Sequence, residues 1–195
     1  MTGGLLVDTG DVTWTVPDRS QCLQCHTQAA GGSLGLETAQ LNGDFGYPST
    51  GRLANQVATL AHIGMLETSL GNPANLPALP ALDDASASVE DRSRAWLHTN
   101  CSSCHRPGGP SRGDIDFRYD TPLADMNACD VQPLHGDLEL GNAARVINPG
   151  KPNKSVLISR MARRDAYQMP PMGSLHADDA AVEVLTEWVT ALTCP

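Results

Sequence analysis

Two short segments carry the same five-residue pattern, in which two cysteines separated by two residues are followed at once by a histidine. The residues of the two copies are Cys22, Cys25 and His26, and Cys101, Cys104 and His105. Two thiols at this spacing can add to the two vinyl groups of a haem as thioethers, and the adjoining histidine then reaches the iron. The sequence therefore predicts two covalently attached haem c groups, with His26 and His105 as proximal iron ligands.

Other uses of paired cysteines fit this sequence less well. Zinc ribbons keep their two pairs roughly 15 to 20 residues apart, whereas Cys22 and Cys101 are far more distant, and a zinc site would give the following histidines no role. A thioredoxin-like dithiol requires one such pair beside a βαβ pattern, and no such pattern is present in the sequence.

A haem iron that only passes electrons usually takes a second axial ligand. For the second haem we predict Met169, because the two prolines that follow it stiffen the segment, with Met172 as the neighbouring alternative. For the first haem, His62 and Met65 are three residues apart on one face of a predicted helix, and either could reach the iron. His62 is preferred because a helix presents a histidine well, and an open five-coordinate iron is the third option. Three further histidines lie in no motif and are interpreted as ordinary surface or core residues: His98, His135 and His176.

The two remaining cysteines, Cys129 and Cys194, lie outside both patterns. Haem c is attached outside the cytoplasm, so a disulfide between them is the simplest interpretation, and two free buried thiols are the alternative. The chain is accordingly expected in the periplasm, secreted or at the cell surface. Its first residues lack the regions of a signal peptide, which suggests a processed chain or a piece of a longer one.

Composition excludes two classes of partner. The 195 residues carry a formal net charge of −9, which disfavours nucleic acid because that ligand requires a basic face. No run of about 18 apolar residues is present, so no membrane span is expected. Only 4% of the residues are aromatic, and two haem macrocycles would supply the missing apolar bulk.

Several elements must position these groups. Residues 1–20 are predicted to be extended, and an apolar period predicts a helix over 52–66. A second helix begins at the cap Ser88 and delivers Cys101, and a last helix spans 178–192.

A Pro/Ala-rich stretch separates the two haem motifs and predicts the domain boundary. The predicted organisation is an N-terminal haem c domain over 1–75, a linker over 76–87 and a C-terminal haem domain over 88–195.

The C-terminal part, 88–195, resembles a class I cytochrome c. In that family a small residue and a large apolar residue on the helix before the haem motif allow the last helix to cross it. Ser93 and Leu97 hold those positions here, and Trp188 would supply the opposing bulk. The resemblance implies a mainly α fold, with helices around covalent haem and long loops between them.

The wider pattern resembles a bacterial dihaem cytochrome family over nearly the whole chain. The matching segments are 34–42, Asn55-Gln56, 104–109 and 148–152. Members occur alone or joined to quinoprotein dehydrogenases or carbohydrate-binding modules, where they are thought to relay electrons.

The resemblance implies a periplasmic or extracellular electron carrier. Its partners would be a redox donor and acceptor, such as a quinoprotein dehydrogenase or a polysaccharide-oxidising enzyme. No Ser/His/Asp set or paired carboxylates demand catalysis, so a carrier is favoured over an enzyme. The alternative is a small dihaem peroxidase-like enzyme whose first haem keeps an open position.

Further residues are expected around the second haem. The class I resemblance implies that a proline carbonyl, from Pro107 or Pro110, accepts a hydrogen bond from His105. Haem propionates are carboxylates, so one or two arginines could pair with them, although a solvated basic patch is equally consistent. The candidates are Arg145, Arg160, Arg163 and Arg164.

Overall fold

The computed structural model describes residues 3–195, which form six α-helices and four short strands. The helices are α1 Arg19–Cys25, α2 Thr38–Leu41, α3 Gln56–His62, α4 Val89–Cys101, α5 Val156–Ala162 and α6 Asp179–Ala191. The strands are β1 Leu5–Asp8, β2 Thr13–Val16, β3 Asp44–Tyr47 and β4 Arg52–Asn55. Among the described residues, no helix has both the length and the apolar character needed to cross a membrane.

The chain packs into two compact units. The larger unit runs to Leu34 and resumes over Ala81–Pro195, and the smaller unit is Gly35–Pro80. The predicted division into haem domains over 1–75 and 88–195, joined by a linker over 76–87, stays a prediction. Both haem motifs lie in the larger unit.

The prediction of a mainly α fold is wrong, because two antiparallel hairpins accompany the helices. Strand β1 pairs with β2 and β3 pairs with β4, each as a separate two-stranded sheet. In β2 the apolar residues Trp14 and Val16 alternate with threonines, a β-favouring pattern that becomes a strand once a partner pairs with it. In the smaller unit, a turn brings Tyr47 opposite Arg52, so the first residues of the helix predicted over 52–66 pair as a strand instead.

The smaller unit is organised by two asparagines. The side-chain amide of Asn42 donates to the carbonyls of Pro73 at 2.9 Å and Leu76 at 3.1 Å. Its oxygen accepts from the Asn55 side chain at 2.9 Å, and Asn55 in turn caps α3 by accepting from the amide of Ala58 at 3.0 Å. These bonds tie the segment at 73–76 to Asn42 and, through Asn55, to the start of α3.

The larger unit is built on the crossing of α4 and α6. The side chain of Ser88 caps α4 by accepting from the amide of Asp91 at 3.0 Å, which confirms the predicted start. Asp178 caps α6 in the same way through the amide of Ala181 at 3.0 Å, and also accepts from the Trp96 indole of α4 at 3.0 Å. The two helices are therefore joined by one side chain at their contact.

The three residues that the class I resemblance placed at the helix crossing are all buried. Ser93 and Leu97 are fully buried on α4, and Trp188 of α6 is 2% exposed. Leu97 and Trp188 belong to one apolar core, together with Leu185 and Val189 of α6. A small residue at Ser93 leaves room for the close approach of the two helices.

A disulfide joins the loop at Cys129 to Cys194, just beyond the end of α6, with the two Cα atoms 5.8 Å apart. The predicted pairing is confirmed. The two cysteines are 65 residues apart in sequence. In the chain-entropy account, a disulfide that closes a loop of this length raises the free energy of unfolding by about 4 kcal/mol. The bond holds the end of the chain against the body of the larger unit.

Candidate functional site

A cavity of about 370 Å³ lies in the larger unit, and three residues predicted to bind the second haem line it: Cys101, His105 and Met169. Much of the remaining wall is apolar and includes Phe117 and Leu157. An apolar cavity of this size with a few polar groups is typical of a site for a cofactor. The residues present therefore fit a flat apolar macrocycle: Cys101 could attach it, and His105 and Met169, from two different segments, could bind its iron.

The second haem motif continues directly from α4. Cys101 is the last residue of the helix, and its carbonyl accepts from the amides of Cys104 at 3.1 Å and His105 at 2.9 Å. The amide of Phe117 donates to the carbonyl of His105 at 3.0 Å, and the two rings lie 5.3 Å apart between centroids. The helix end and this neighbouring segment together fix the position of the imidazole at the cavity.

Met169 is presented by a loop that is tied at two points. Its amide donates to the carbonyl of Arg160 on α5 at 3.0 Å. The side chain of Gln168 donates to the carbonyls of Pro170 and Ser174, both at 3.0 Å. The alternative, Met172, lines a neighbouring cavity of about 270 Å³ that does not include His105. This placement favours Met169 over Met172 as the side chain that could face an iron held by His105.

The imidazole of His105 is in a state suited to binding a metal. Burial lowers its pKa, and the nearby positive charge of Arg160 lowers it further. The neutral ring is the form that ligates iron. Its Nδ1 is buried and has no hydrogen-bond partner among residues 3–195.

The implied hydrogen bond from His105 to Pro107 or Pro110 is therefore absent from this part of the chain. The reason is the tight turn after the motif, which is closed by the amide of Gly109 donating to the carbonyl of Arg106 at 2.9 Å. The turn leaves both prolines at the surface.

The first haem motif lies at the end of α1. Asp18 and Gln21 cap this helix reciprocally: Asp18 accepts from the amide of Gln21 at 3.0 Å, and the Gln21 side chain accepts from the amide of Asp18 at 2.9 Å. The prediction that 1–20 is extended is wrong at its end, because α1 begins at Arg19. Capping boxes of this kind are visible in sequence as an acceptor followed three residues later by Gln or Glu.

His26 directly follows α1 as its C-cap, and its Nδ1 lies 2.7 Å from the carbonyl oxygen of Gly32. A carbonyl can only accept, so the Nδ1 nitrogen carries the proton and Nε2 is left for a metal. This is the arrangement that orients metal-binding histidines in general. The sequence indicated a loop at Gly31-Gly32 but did not assign this role to it.

The two haem motifs lie against each other within the larger unit. The Cys25 and Cys104 thiols are close enough to share a hydrogen bond; burial raises the pKa of Cys25, and Cys104 raises it further. The Sγ of Cys104 approaches the carbonyl of Gln24 at 3.8 Å. Nothing in the sequence predicted this contact.

Arg106, the residue after the second motif, links the two motifs. Its guanidinium donates to the carbonyl of Ala29, in the loop after the first motif, at 3.3 Å. It also donates to the carbonyl of Ser102 and, at 3.1 Å, to the Ser102 hydroxyl. Its pairing with backbone oxygens rather than with a carboxylate is why no charge pattern in the sequence pointed to it.

The two candidates for the distal ligand of the first haem lie in the smaller unit. His62 is the last residue of α3, and Met65 follows Gly64, whose φ of +73° ends the helix. The expectation that both residues share one helical face is therefore wrong. Both are exposed, Met65 to 68%, and the choice between them stays open.

The three other histidines have different surroundings. His135 is exposed on the wall of the cavity beside His105, and His176 lines the neighbouring cavity. The Nδ1 of His98 accepts from the amide of Tyr119 at 3.0 Å. Within residues 3–195, no three His, Cys, Asp or Glu side chains lie close enough together to share a metal ion. A haem iron requires only one or two protein ligands.

Comparisons with protein-family models, with curated proteins and with solved structures found no match for this chain. What the chain does therefore has to be inferred from the two motifs and the cavity.

Proposed function

We propose that this chain is a c-type cytochrome with two covalent haems, which carries electrons between a donor and an acceptor outside the cytoplasm. The observation that supports it most directly is the cavity that brings together Cys101, His105 and Met169. Cys101 and His105 come from one motif, whereas Met169 lies 64 residues beyond His105, and each has the chemistry that haem c attachment and axial ligation require.

Each motif has a defined role in this proposal. The four motif cysteines would hold the two haems as thioethers, and His26, through Nε2, and His105 would be the proximal ligands of the two irons. The haem irons supply one-electron redox chemistry when bound. The chain orients the imidazoles through the Gly32 carbonyl and the Phe117 contact, and it excludes water with the apolar wall of the cavity.

The contact between the two motifs supports a relay rather than two independent sites. Cys25 and Cys104 are neighbours, and Arg106 joins the two motif loops. Electrons entering at one motif would then leave at the other. The proposed partners are redox proteins, among them a quinoprotein dehydrogenase or a polysaccharide-oxidising enzyme, as the dihaem cytochrome family that the sequence resembles suggests.

The first test is a haem count on protein exported from a host that attaches haem c. We expect two haems per chain from the pyridine haemochrome. Replacing both cysteines of either motif by alanine should leave one haem, and the double replacement Cys129→Ser and Cys194→Ser is the matched control that should keep two. A wild-type chain that carries no haem would overturn the proposal.

The second test is the spin state of the oxidised protein. For a carrier, both irons should be low-spin. Met169→Ala should convert one of them to high-spin, whereas Met172→Ala, the matched control, should not. A high-spin iron in the wild type that binds cyanide and turns over peroxide would instead support the peroxidase-like alternative.

A further inference from the structure

The cavity beside His105 has two cationic residues on its wall, Arg160 and Arg112. Arg160 belongs to the four arginines singled out in the sequence, and Arg112 does not. Arg160 is half-buried, whereas Arg112 is exposed at the rim. A partly buried cation facing an apolar cavity is costly unless an anion accompanies it. These two guanidiniums are therefore placed to bind an anion in the cavity.

The other three candidate arginines are engaged elsewhere. Arg145 pairs with the carboxylate of Asp130 at 3.0 Å, and Arg163 pairs with Asp165 at 2.8 Å. Arg164 donates to the carbonyls of Met161 at 2.9 Å and His176 at 2.7 Å.

Arg160 keeps most of its donors available. It lies on α5 and is half-buried, and its Nη1 donates to the carbonyl of Tyr167 at 2.9 Å. No ion pair among the described residues includes it. The carboxylate on the cavity wall, Asp114, is exposed and forms no ion pair with it. A guanidinium with free donors can bind a carboxylate in a bidentate manner.

We propose that Arg160, together with Arg112, binds a propionate carboxylate of the haem held by Cys101 and His105. The inference rests on the proposed function, since only a haem brings propionates into this cavity. It assigns the anionic edge of the haem to the wall that α5 and Arg112 form.

The position of Arg160 also predicts an effect on the iron. Its backbone carbonyl holds the loop of Met169 at 3.0 Å, and its charge reaches the imidazole of His105. A positive charge at this position disfavours the additional positive charge of the oxidised iron. Removing the charge should therefore favour oxidised over reduced haem and lower the reduction potential of the second haem.

The experiment compares Arg160→Gln with Arg163→Gln in the full-length protein carrying both haems. Arg163 is the matched control, because it is an arginine close in sequence that pairs with Asp165. We expect Arg160→Gln to shift the ratio of oxidised to reduced second haem about tenfold, which is about 59 mV for one electron. Arg163→Gln should shift it much less, and Arg112→Gln should give an intermediate shift.

A second readout separates propionate binding from a general effect of charge. With ¹³C-labelled propionates, the infrared difference spectrum between oxidised and reduced protein should show a carboxylate band that moves in Arg160→Gln. Arg160→Lys keeps the positive charge but loses the two parallel N–H donors of the guanidinium. It should therefore retain the reduction potential of the second haem and still move the carboxylate band. The same variant serves if Arg160→Gln fails to yield holoprotein.

Three outcomes would overturn the inference. The first is a carboxylate band that is unchanged in Arg160→Gln, whether or not the potential shifts. The second is a band that is unchanged in Arg160→Lys, and the third is an equal shift of the potential in Arg163→Gln. Any of these results with two haems still attached leaves the proposed function intact, whereas a wild-type chain without haem would refute the proposed function itself.

Discussion

Gly109 lies in the turn that follows the second haem motif, and the structure leaves no space for a side chain there. A Cβ at this position would overlap the carbonyl oxygen of Cys104 and lie 2.9 Å from that of Arg106. Both atoms belong to the backbone of the motif turn, so no side-chain rotation can relieve the overlap. Gly109→Ala must therefore displace the turn that carries His105.

The expected cost is at the upper end for overpacking, about 3 kcal/mol of unfolding free energy. For a protein of this size each kcal/mol lowers Tm by roughly 2 to 4 °C, so Tm should fall by roughly 6 to 12 °C. The matched control is Gly43→Ala, where no atom lies within 4 Å of the added Cβ. That replacement should stabilise by about 0.4 to 1 kcal/mol through the unfolded state.

Two measurements on the same samples test this prediction. Thermal unfolding followed by circular dichroism gives the difference in Tm, and the pyridine haemochrome gives the haem count. Because the distortion is local to the second motif, the Gly109→Ala protein should accumulate chains with one haem, attached at Cys22 and Cys25. If Gly109→Ala behaves like Gly43→Ala in both measurements, the turn does not have the close packing on which the reasoning depends.

Three further variants test the packing within each of the two units. Leu97→Ala removes a fully buried side chain from the helix crossing and should cost about 3 kcal/mol in urea unfolding, whereas Leu23→Ala, at a side chain 72% exposed, should cost little. Replacing Cys129 and Cys194 by serine should lower the unfolding free energy by about 4 kcal/mol, and an unchanged urea midpoint would contradict the stabilising role of the disulfide. Asn42→Ala removes the side-chain donor to the carbonyl of Leu76, while the carbonyl of Pro73 keeps the amide of Leu76 at 3.1 Å, and should cost about 1 kcal/mol, read as faster limited proteolysis of the smaller unit.

The elements that sequence predicted well are those with local signals. The cap residues Ser88 and Asp178 and the apolar periods behind them determined where α4 and α6 begin. The strands β3 and β4 were missed because each is only four residues long, and a strand of that length forms only when a partner pairs with it. Helix α3 is shorter than predicted for the same reason, since its first predicted turn is used in pairing.

In the candidate site too, some features were predictable from local sequence and others were not. The cysteine and histidine motifs carry their chemistry in their spacing, so the sequence alone determined the type of cofactor that we propose and the residues that would hold it. Only the tertiary structure decided that Met169 rather than Met172 lines the cavity of His105, and that Arg160 alone of the four predicted arginines does so. It also decided that the two motifs lie in contact. The physical reason is that spacing is a local property, whereas the residues that share a cavity are set by the packing of distant segments, which leaves no periodic trace in the sequence.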